Sequence, residues 1–327
     1  MHERTEATAG DEAGVLLINL GTPDAPTAPA VRRYLREFLS DVRVIDLPRL
    51  IWLPILYLLV LVFRPKKVAR NYAKIWSDSG SPLLAGTRAL AARMRELQPG
   101  LPVAVGMRYG RPAIEAGLRE LAAAGARRVV ALPLYPQFSH TTTSSVDDVL
   151  EPARRAVPGI EVITRVRDYH QDPAYIAALA ESIRDWRAAH GAGEQLLMSF
   201  HGIPRRYAEA GDPYPQECER TAALLAEALG LGPGEWRMVY QSRFGKAEWL
   251  RPYADETLVE LAAQGARRLD IVCPGFPVDC LETLEEVAIG FDEVFREAGG
   301  DALRYIPALN DSAAHARLLA ELGRRSA

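Results

Sequence analysis

The chain has 327 residues, 48% hydrophobic and 25% charged, globular values that suit two domains, each burying its own core. A net charge of −3 and a pI near 6.1 exclude general nucleic-acid binding, which needs a basic face. Three cysteines (Cys218, Cys273, Cys280) with no C-x-x-C pair exclude a disulfide framework or zinc ribbon and fit a reducing compartment.

The first dozen residues, His2 among them, are polar without an apolar core; they read as a loose tail with no secretory signal. Val15–Leu20, closed by Gly21-Thr22-Pro23, predicts a buried parallel strand and turn. Apolar residues at Val31, Tyr34, Leu35 and Phe38 give Ala30–Leu39 a helical period. Leu50 to Phe63 is an uncharged run bracketed by Arg49 and by Arg64, Lys66 and Lys67. Spanning a bilayer takes about 20 such residues, and Pro54 interrupts this one, so a transmembrane helix is excluded. A buried core helix, an apolar lip over a greasy pocket, and a surface dipping into a membrane interface all stay open; Trp52, Tyr57 and the flanking cations suit the last two.

Further along come a helix over Leu83–Leu97, a strand over Pro102–Met107, a helix opened by Pro112 and ended by Gly125, and a strand over Val129–Leu132. The second half predicts helix Pro173–Ala189, strand Gln195–Phe200, helix Glu217–Leu229, strand Arg237–Gln241, helix Pro252–Ala263 and strand Leu269–Cys273. A helix from about Thr283 to Ala298, a strand near Leu303–Ile306 and a helix Ala313–Arg324 capped by Asn310-Asp311-Ser312 follow. This alternation predicts an α/β protein with parallel doubly wound sheets.

The two halves echo each other. Leu121-Ala-Ala-Ala-Gly-Ala-Arg-Arg128 recurs as Leu261-Ala-Ala-Gln-Gly-Ala-Arg-Arg268, and Leu16-Leu-Ile-Asn-Leu20-Gly21 as Leu196-Leu-Met-Ser-Phe200-His201-Gly202. A repeat this long means two similar domains rather than a solenoid, and the chemistry is expected where the copies differ. One difference is His201 at a strand end, a residue type suited to taking protons near neutral pH or to holding a metal, though strand-end histidines are also often plain packing. Another is Asp279, Glu282, Glu285 and Glu286, where loop becomes helix: either carboxylates favoured at a helix N-terminus or, with the three glutamates on one α-helical face, a loose track of ligands for a divalent first-row metal. Ligands of open parallel sheets bind beyond the carboxyl strand ends. The turns Gly21-Thr22, Arg108-Tyr109 and Tyr135-Pro136, with His201 and the 276–282 loop, are therefore expected to line one interdomain cleft. His170, His190 and His315 read as solvated, and His140 is left open. No G-x-G-x-x-G follows the first strand, and P-loop, H-E-x-x-H and G-x-S-x-G motifs are missing, which removes the usual supports for nucleotide and serine-hydrolase chemistry.

With these residues assembled, the chain resembles the ferrochelatases. The match rests on Asn19-Leu-Gly-Thr-Pro23, Tyr72-x-x-Ile-Trp76 with Gly80-Ser-Pro82, Met107-Arg-Tyr-Gly110 and Leu134-Tyr-Pro-Gln-Phe-Ser139. It continues through Ser199-Phe-His-Gly-Ile-Pro204, Gly211-Asp-Pro-Tyr-Pro-Gln216, Gln241-Ser-Arg-Phe-Gly245, Asp279-Cys-Leu-Glu-Thr-Leu284 and Leu309-Asn-Asp-Ser312. The resemblance implies two chelatase-like, Rossmann-like domains: 14–165, joined by a returning helix over 312–327, and 166–311, carrying the His/Glu site. It implies insertion of Fe(II) into protoporphyrin IX to give protohaem, with His201 and Glu282 catalytic and metal-binding and Asp279, Glu285 and Glu286 in support. Leu20, Arg108, Tyr109, Tyr135, Phe276 and Trp249 would contact the porphyrin, with Arg108 pairing a propionate. Many relatives carry histidine where Cys280 stands, so a His-x-Glu pairing is missing here. With three cysteines, no [2Fe–2S] cluster and no tightly bound cofactor are expected. A cytoplasmic protein with peripheral membrane contact through Leu50–Phe63, and no nucleic-acid partner, completes the reading. The alternatives are a coproporphyrin III ferrochelatase, a sirohydrochlorin cobalt or iron chelatase, and a non-catalytic porphyrin or haem carrier.

Overall fold

The computed structural model describes residues 13–245 and 247–327; the expected polar tail with His2 lies outside them. The helices in chain order are α1 (Ala28–Leu39), α2 (Arg49–Ile55), α3 (Leu61–Ile75), α4 (Pro82–Leu97), α5 (Ile114–Ala123), α6 (Thr143–Arg155), α7 (Pro173–His190), α8 (Arg205–Glu209), α9 (Tyr214–Leu229), α10 (Ala254–Ala263), α11 (Asp292–Glu297) and α12 (Ala313–Arg325). Two π-helical segments, Leu56–Val60 and Glu282–Phe291, join α2 to α3 and lead into α11.

Each half builds one four-stranded parallel sheet. Strands β1 (Gly14–Thr22), β2 (Val103–Gly110), β3 (Arg128–Pro133) and β4 (Val162–Arg165) stand in the order β2-β1-β3-β4. Strands β5 (Leu196–His201), β6 (Trp236–Gln241), β7 (Arg268–Val272) and β8 (Ala302–Tyr305) repeat it as β6-β5-β7-β8. The central strands are apolar throughout because helices cover both faces of a parallel sheet; Leu16, Leu17 and Ile18 are fully buried, as are Leu196, Leu197 and Met198. The repeated octapeptide ends α5 and α10 and enters β3 and β7. Its glycine makes the turn: Gly125 has φ +89° and Gly265 φ +101°, a conformation that strains any residue carrying a Cβ.

Several expectations need correction. Strand β2 runs on to Gly110, so Arg108 and Tyr109 lie within a strand and not in a turn. Helix α6 and strand β4 were not foreseen, and the helix expected from Thr283 is π-helical as far as Phe291. Leu50–Phe63 is helical but is no core helix: Leu50 is 92% exposed and Leu58 and Phe63 each 70%, while Leu56 and Leu61 are buried. Among the described residues, no helix is long and apolar enough to cross a membrane. His170 and His315, expected to be solvated, are buried: His170, in the turn before α7, packs against Glu217 of α9, and α12, which carries His315, is covered by tertiary packing that a local pattern does not report.

Helix α12 leaves the second half and packs on α4, α7 and β1. A Cβ on Gly323 would come within 2.6 Å of Val15 Cγ2, so contact is close enough to require glycine there. Its first turn is capped by Ser312 Oγ, which accepts from His315 N at 3.3 Å. His315 Nδ1 donates to Asn310 O at 2.6 Å, and burial lowers its pKa to about 4. The folded state therefore binds this proton less readily than the unfolded chain, and His315 withdraws stability as pH falls from about 6.5 towards about 4. Urea unfolding at pH 7.5 and pH 4.5 is expected to show His315→Gln losing about 2 kcal/mol less stability on acidification than the parent chain; equal losses would acquit this histidine.

Candidate active site

His201 is the last residue of β5 and half-buried. Its Nδ1 lies 2.6 Å from the carbonyl oxygen of Gly202. A carbonyl only accepts, so Nδ1 carries the proton and Nε2 of the neutral ring keeps its lone pair. The next residue, Gly202, leaves little room for a side chain. A Cβ on Gly202 would sit 3.0 Å from Gln241 O and 3.2 Å from Trp249 Cε3, in the space where Gly202 N donates to Gln241 O at 2.8 Å. The rings of Trp249 and Phe276 flank the imidazole, each with its centroid 6.4 Å away. Trp249 is buried and its Nε1 donates to Phe244 O. A hollow of about 500 Å³ lined by Phe244, Trp249 and Tyr253 adjoins this wall.

The acidic residues do not form one track. The bonding pattern of a π-helix widens the coil to between four and five residues per turn, so positions four apart share a side and positions three apart diverge. Glu282 and Glu286 accordingly belong together. Glu286 accepts from Ser242 N at 2.8 Å and Ser242 Oγ at 2.5 Å. Burial raises its pKa, the Ser242 bond and the neighbouring His201 hold it down, and the charge of Glu282 pushes it up again. Gln241 Nε2 donates to the backbone carbonyl of Glu282 and fixes the start of the helix. Glu285 turns the other way, accepting from Lys74 Nζ at 2.8 Å and Asn71 Nδ2 at 2.9 Å, which ties the π-helix to α3 of the first half. Asp279 is saturated by Tyr305 Oη, Thr283 Oγ1 and Asn310 Nδ2 and braces the loop. The expected supporting group thus divides into one partner for Glu282 and two structural anchors.

From the first half, Tyr34 and Tyr72 face Glu282. Burial raises the pKa of both phenols, and the glutamate charge raises them further. Neither tyrosine stood out in the sequence as a site residue, since each fills an apolar position of its helix. Leu20 is half-buried between the sheet core and the cluster beneath α2 and α3. Tyr135 is half-buried, and its hydroxyl has no partner. Arg108 and Tyr109 depart from expectation. Arg108 Nη2 and Tyr109 Oη both donate to Asp41 Oδ2 at 2.7 Å, and Arg108 Nε donates to Ser145 O at 2.8 Å. Tyr109 is 1% exposed. Arg108 and Tyr109 are thus tied to Asp41 and Ser145 within the first half.

A second set of metal-ligating side chains, Asp168, His170 and Glu217, brings three donor atoms within 4.8 Å of one another. It is an internal ion-pair network: Arg167 bonds both carboxylates, and Phe138 N donates to Glu217 Oε2 at 2.6 Å. The guanidinium supplies the positive charge that this set calls for.

Comparison with known proteins gives one consistent answer. The ferrochelatase family matches residues 12–327. A ferrochelatase of Xanthomonas axonopodis pv. citri is 53% identical over 315 residues, 96% of this chain and 98% of that protein. One of Stenotrophomonas maltophilia is 54% identical over 311 residues, 95% and 97% of the two chains. Among solved structures, SirB from Bacillus subtilis with Fe3+ aligns with TM-score 0.55 and 13% identity over 97% of this chain and 96% of its own, a likeness of fold.

The raised pKa of Glu286 has a thermodynamic consequence. The folded state holds this proton more tightly than the unfolded chain, so the contribution is favourable below the ordinary glutamate range and is lost as pH rises through the raised value. Glu286→Gln is expected to gain stability over the parent at pH 7.5 and much less at pH 4, measured by chemical denaturation. A variant that is less stable by the same amount at both values would contradict the placement.

Proposed function

The chain belongs to the ferrochelatase family, and we propose that His201, Glu282 and Glu286 carry its chemistry, the insertion of Fe(II) into protoporphyrin to give haem. A free-base porphyrin holds two pyrrole N–H protons, and the metal displaces both. His201 Nε2, which keeps the lone pair while Nδ1 bonds Gly202 O, takes a proton from the ring. Glu286, whose raised pKa brings it closer to working pH than an ordinary carboxylate, accepts that proton from the imidazole and passes it to solvent, so the base is restored for the second. Glu282 provides the anionic oxygen that steers Fe(II) to the nitrogens from the π-helix side. The ring lies against Phe276, Trp249 and Leu20, with Tyr34, Tyr72 and Tyr135 closing the first-half side. The whole reaction takes one Fe2+ and the free base and gives the neutral ferrous porphyrin and two protons. No cofactor beyond the metal substrate is called for, and three buried thiols, Cys218, Cys273 and Cys280, fall one short of a four-cysteine cluster. The cleft is read as lying between a first domain, 14–165 with the returning helix from 312, and a second, 166–311.

The observation that supports this reading is the bond of His201 Nδ1 to the Gly202 carbonyl, together with the nearness of the imidazole and Glu282 to Glu286. Anaerobic assay with Fe(II) and protoporphyrin IX is expected to show His201→Ala losing about 10²–10⁴-fold in turnover while still quenching tryptophan fluorescence with porphyrin. Turnover near the parent rate would remove the imidazole from the mechanism.

The exposed run gives the cleft a setting. Leu50, Leu58, Leu59 and Phe63 stand out from α2, the π-turn and α3 over a buried floor of Tyr34, Leu35, Leu39 and Tyr72. Cations at Arg49, Arg64, Lys66 and Lys67 flank the run. A contiguous apolar surface rimmed by cations is the pattern of an element resting in a membrane interface, and the porphyrin substrate is itself apolar. We read this lip as a peripheral membrane contact of a cytoplasmic protein. Cosedimentation with vesicles of phosphatidylcholine and an anionic lipid should fall at least fivefold in Leu58→Glu/Phe63→Glu; undiminished binding would assign the lip another role.

A further inference from the structure

A separate hollow of about 640 Å³ opens in the first half, at the carboxyl ends of β1 and β2. Ligands of open parallel sheets bind at this edge, yet the metallation residues lie elsewhere: every residue lining the hollow comes from the first half. Tyr72 separates the two places. Its phenol lies beside Thr22, its ring stacks edge-on against Trp76 at 6.0 Å, and Thr22 and Trp76 both line the hollow.

The charges of the lining are unbalanced. Arg88 and Arg111 face the space and form no ion pair among the described residues. Asp24, which also lines it, is held by Arg33 at 3.2 Å. Thr22 Oγ1 donates to Ser81 Oγ at 2.8 Å, and α4 and α5, which both begin at this hollow, have no side-chain cap on their first turns. Two guanidiniums, uncapped backbone donors and one aromatic face make a receptor for an oxyanion carried on a small organic body.

We propose that this hollow binds a small multivalent organic anion, with its phosphate or carboxylate groups between Arg88 and Arg111 and its body against Trp76. Isothermal titration of the full chain in low-salt buffer freed of metal ions with a chelating resin, using pyrophosphate in one arm and citrate in the other, tests it. Saturable one-to-one binding is expected, weakened by added salt and at least tenfold weaker in Arg88→Gln/Arg111→Gln. Both arginines are exposed, so the double variant should unfold at the parent temperature, and Arg88→Lys/Arg111→Lys should retain part of the affinity. Binding in the pyrophosphate arm alone identifies a phosphate ligand, and in the citrate arm alone a carboxylate. No saturable binding in either arm, or undiminished binding by the double glutamine variant, overturns the proposal.

Discussion

The hydrogen bond from His201 Nδ1 to the Gly202 carbonyl, 2.6 Å long, organises the rest of the site. It holds the ring proton on Nδ1 and leaves Nε2 as the nitrogen with the lone pair. The bond goes with a tight fold of the chain at the end of β5, where Gln241 and Trp249 crowd any side chain at Gly202. Gln241 in turn accepts the Gly202 amide and donates to the backbone of Glu282. One residue at the end of β6 thus sets the base and the start of the π-helix in register.

The π-helix sorts its carboxylates by geometry. A regular α-helix over the same residues would present Glu282, Glu285 and Glu286 together and crowd three negative charges on one face. The wider coil sends Glu285 to Lys74 and Asn71, where it braces the second half against the first, and leaves Glu282 and Glu286 with His201. Burial of Glu286 raises its pKa, and a carboxylate that costs stability when ionised is better matched to proton exchange with an imidazole.

The architecture was legible in the sequence because parallel sheets write themselves as apolar runs separated by amphipathic helices, and because a duplicated fold repeats its turns. His201 was legible as an insertion in an otherwise matched strand end, and Glu282 as a carboxylate just beyond another. The π-helix was hidden, since its residues satisfy an α-helical pattern as well as their own. The pairing of Arg108 with Asp41 was not legible, because Asp41 is far away in sequence and the motif around Arg108 says nothing of that distant carboxylate. His170 and His315 sit in polar stretches and owe their burial to neighbouring helices. Tyr34 and Tyr72 look like core residues because they are core residues, and their nearness to Glu282 emerges only when the π-helix is set against them.

The most direct measurement is long-range ¹⁵N–¹H correlation spectroscopy of the histidine-labelled protein near pH 8, with His201 assigned by comparison with His201→Gln. A neutral ring protonated at Nδ1, with Nε2 bare, is the predicted result. A ring carrying its proton on Nε2 would leave the cleft without a base at that position and contradict the account.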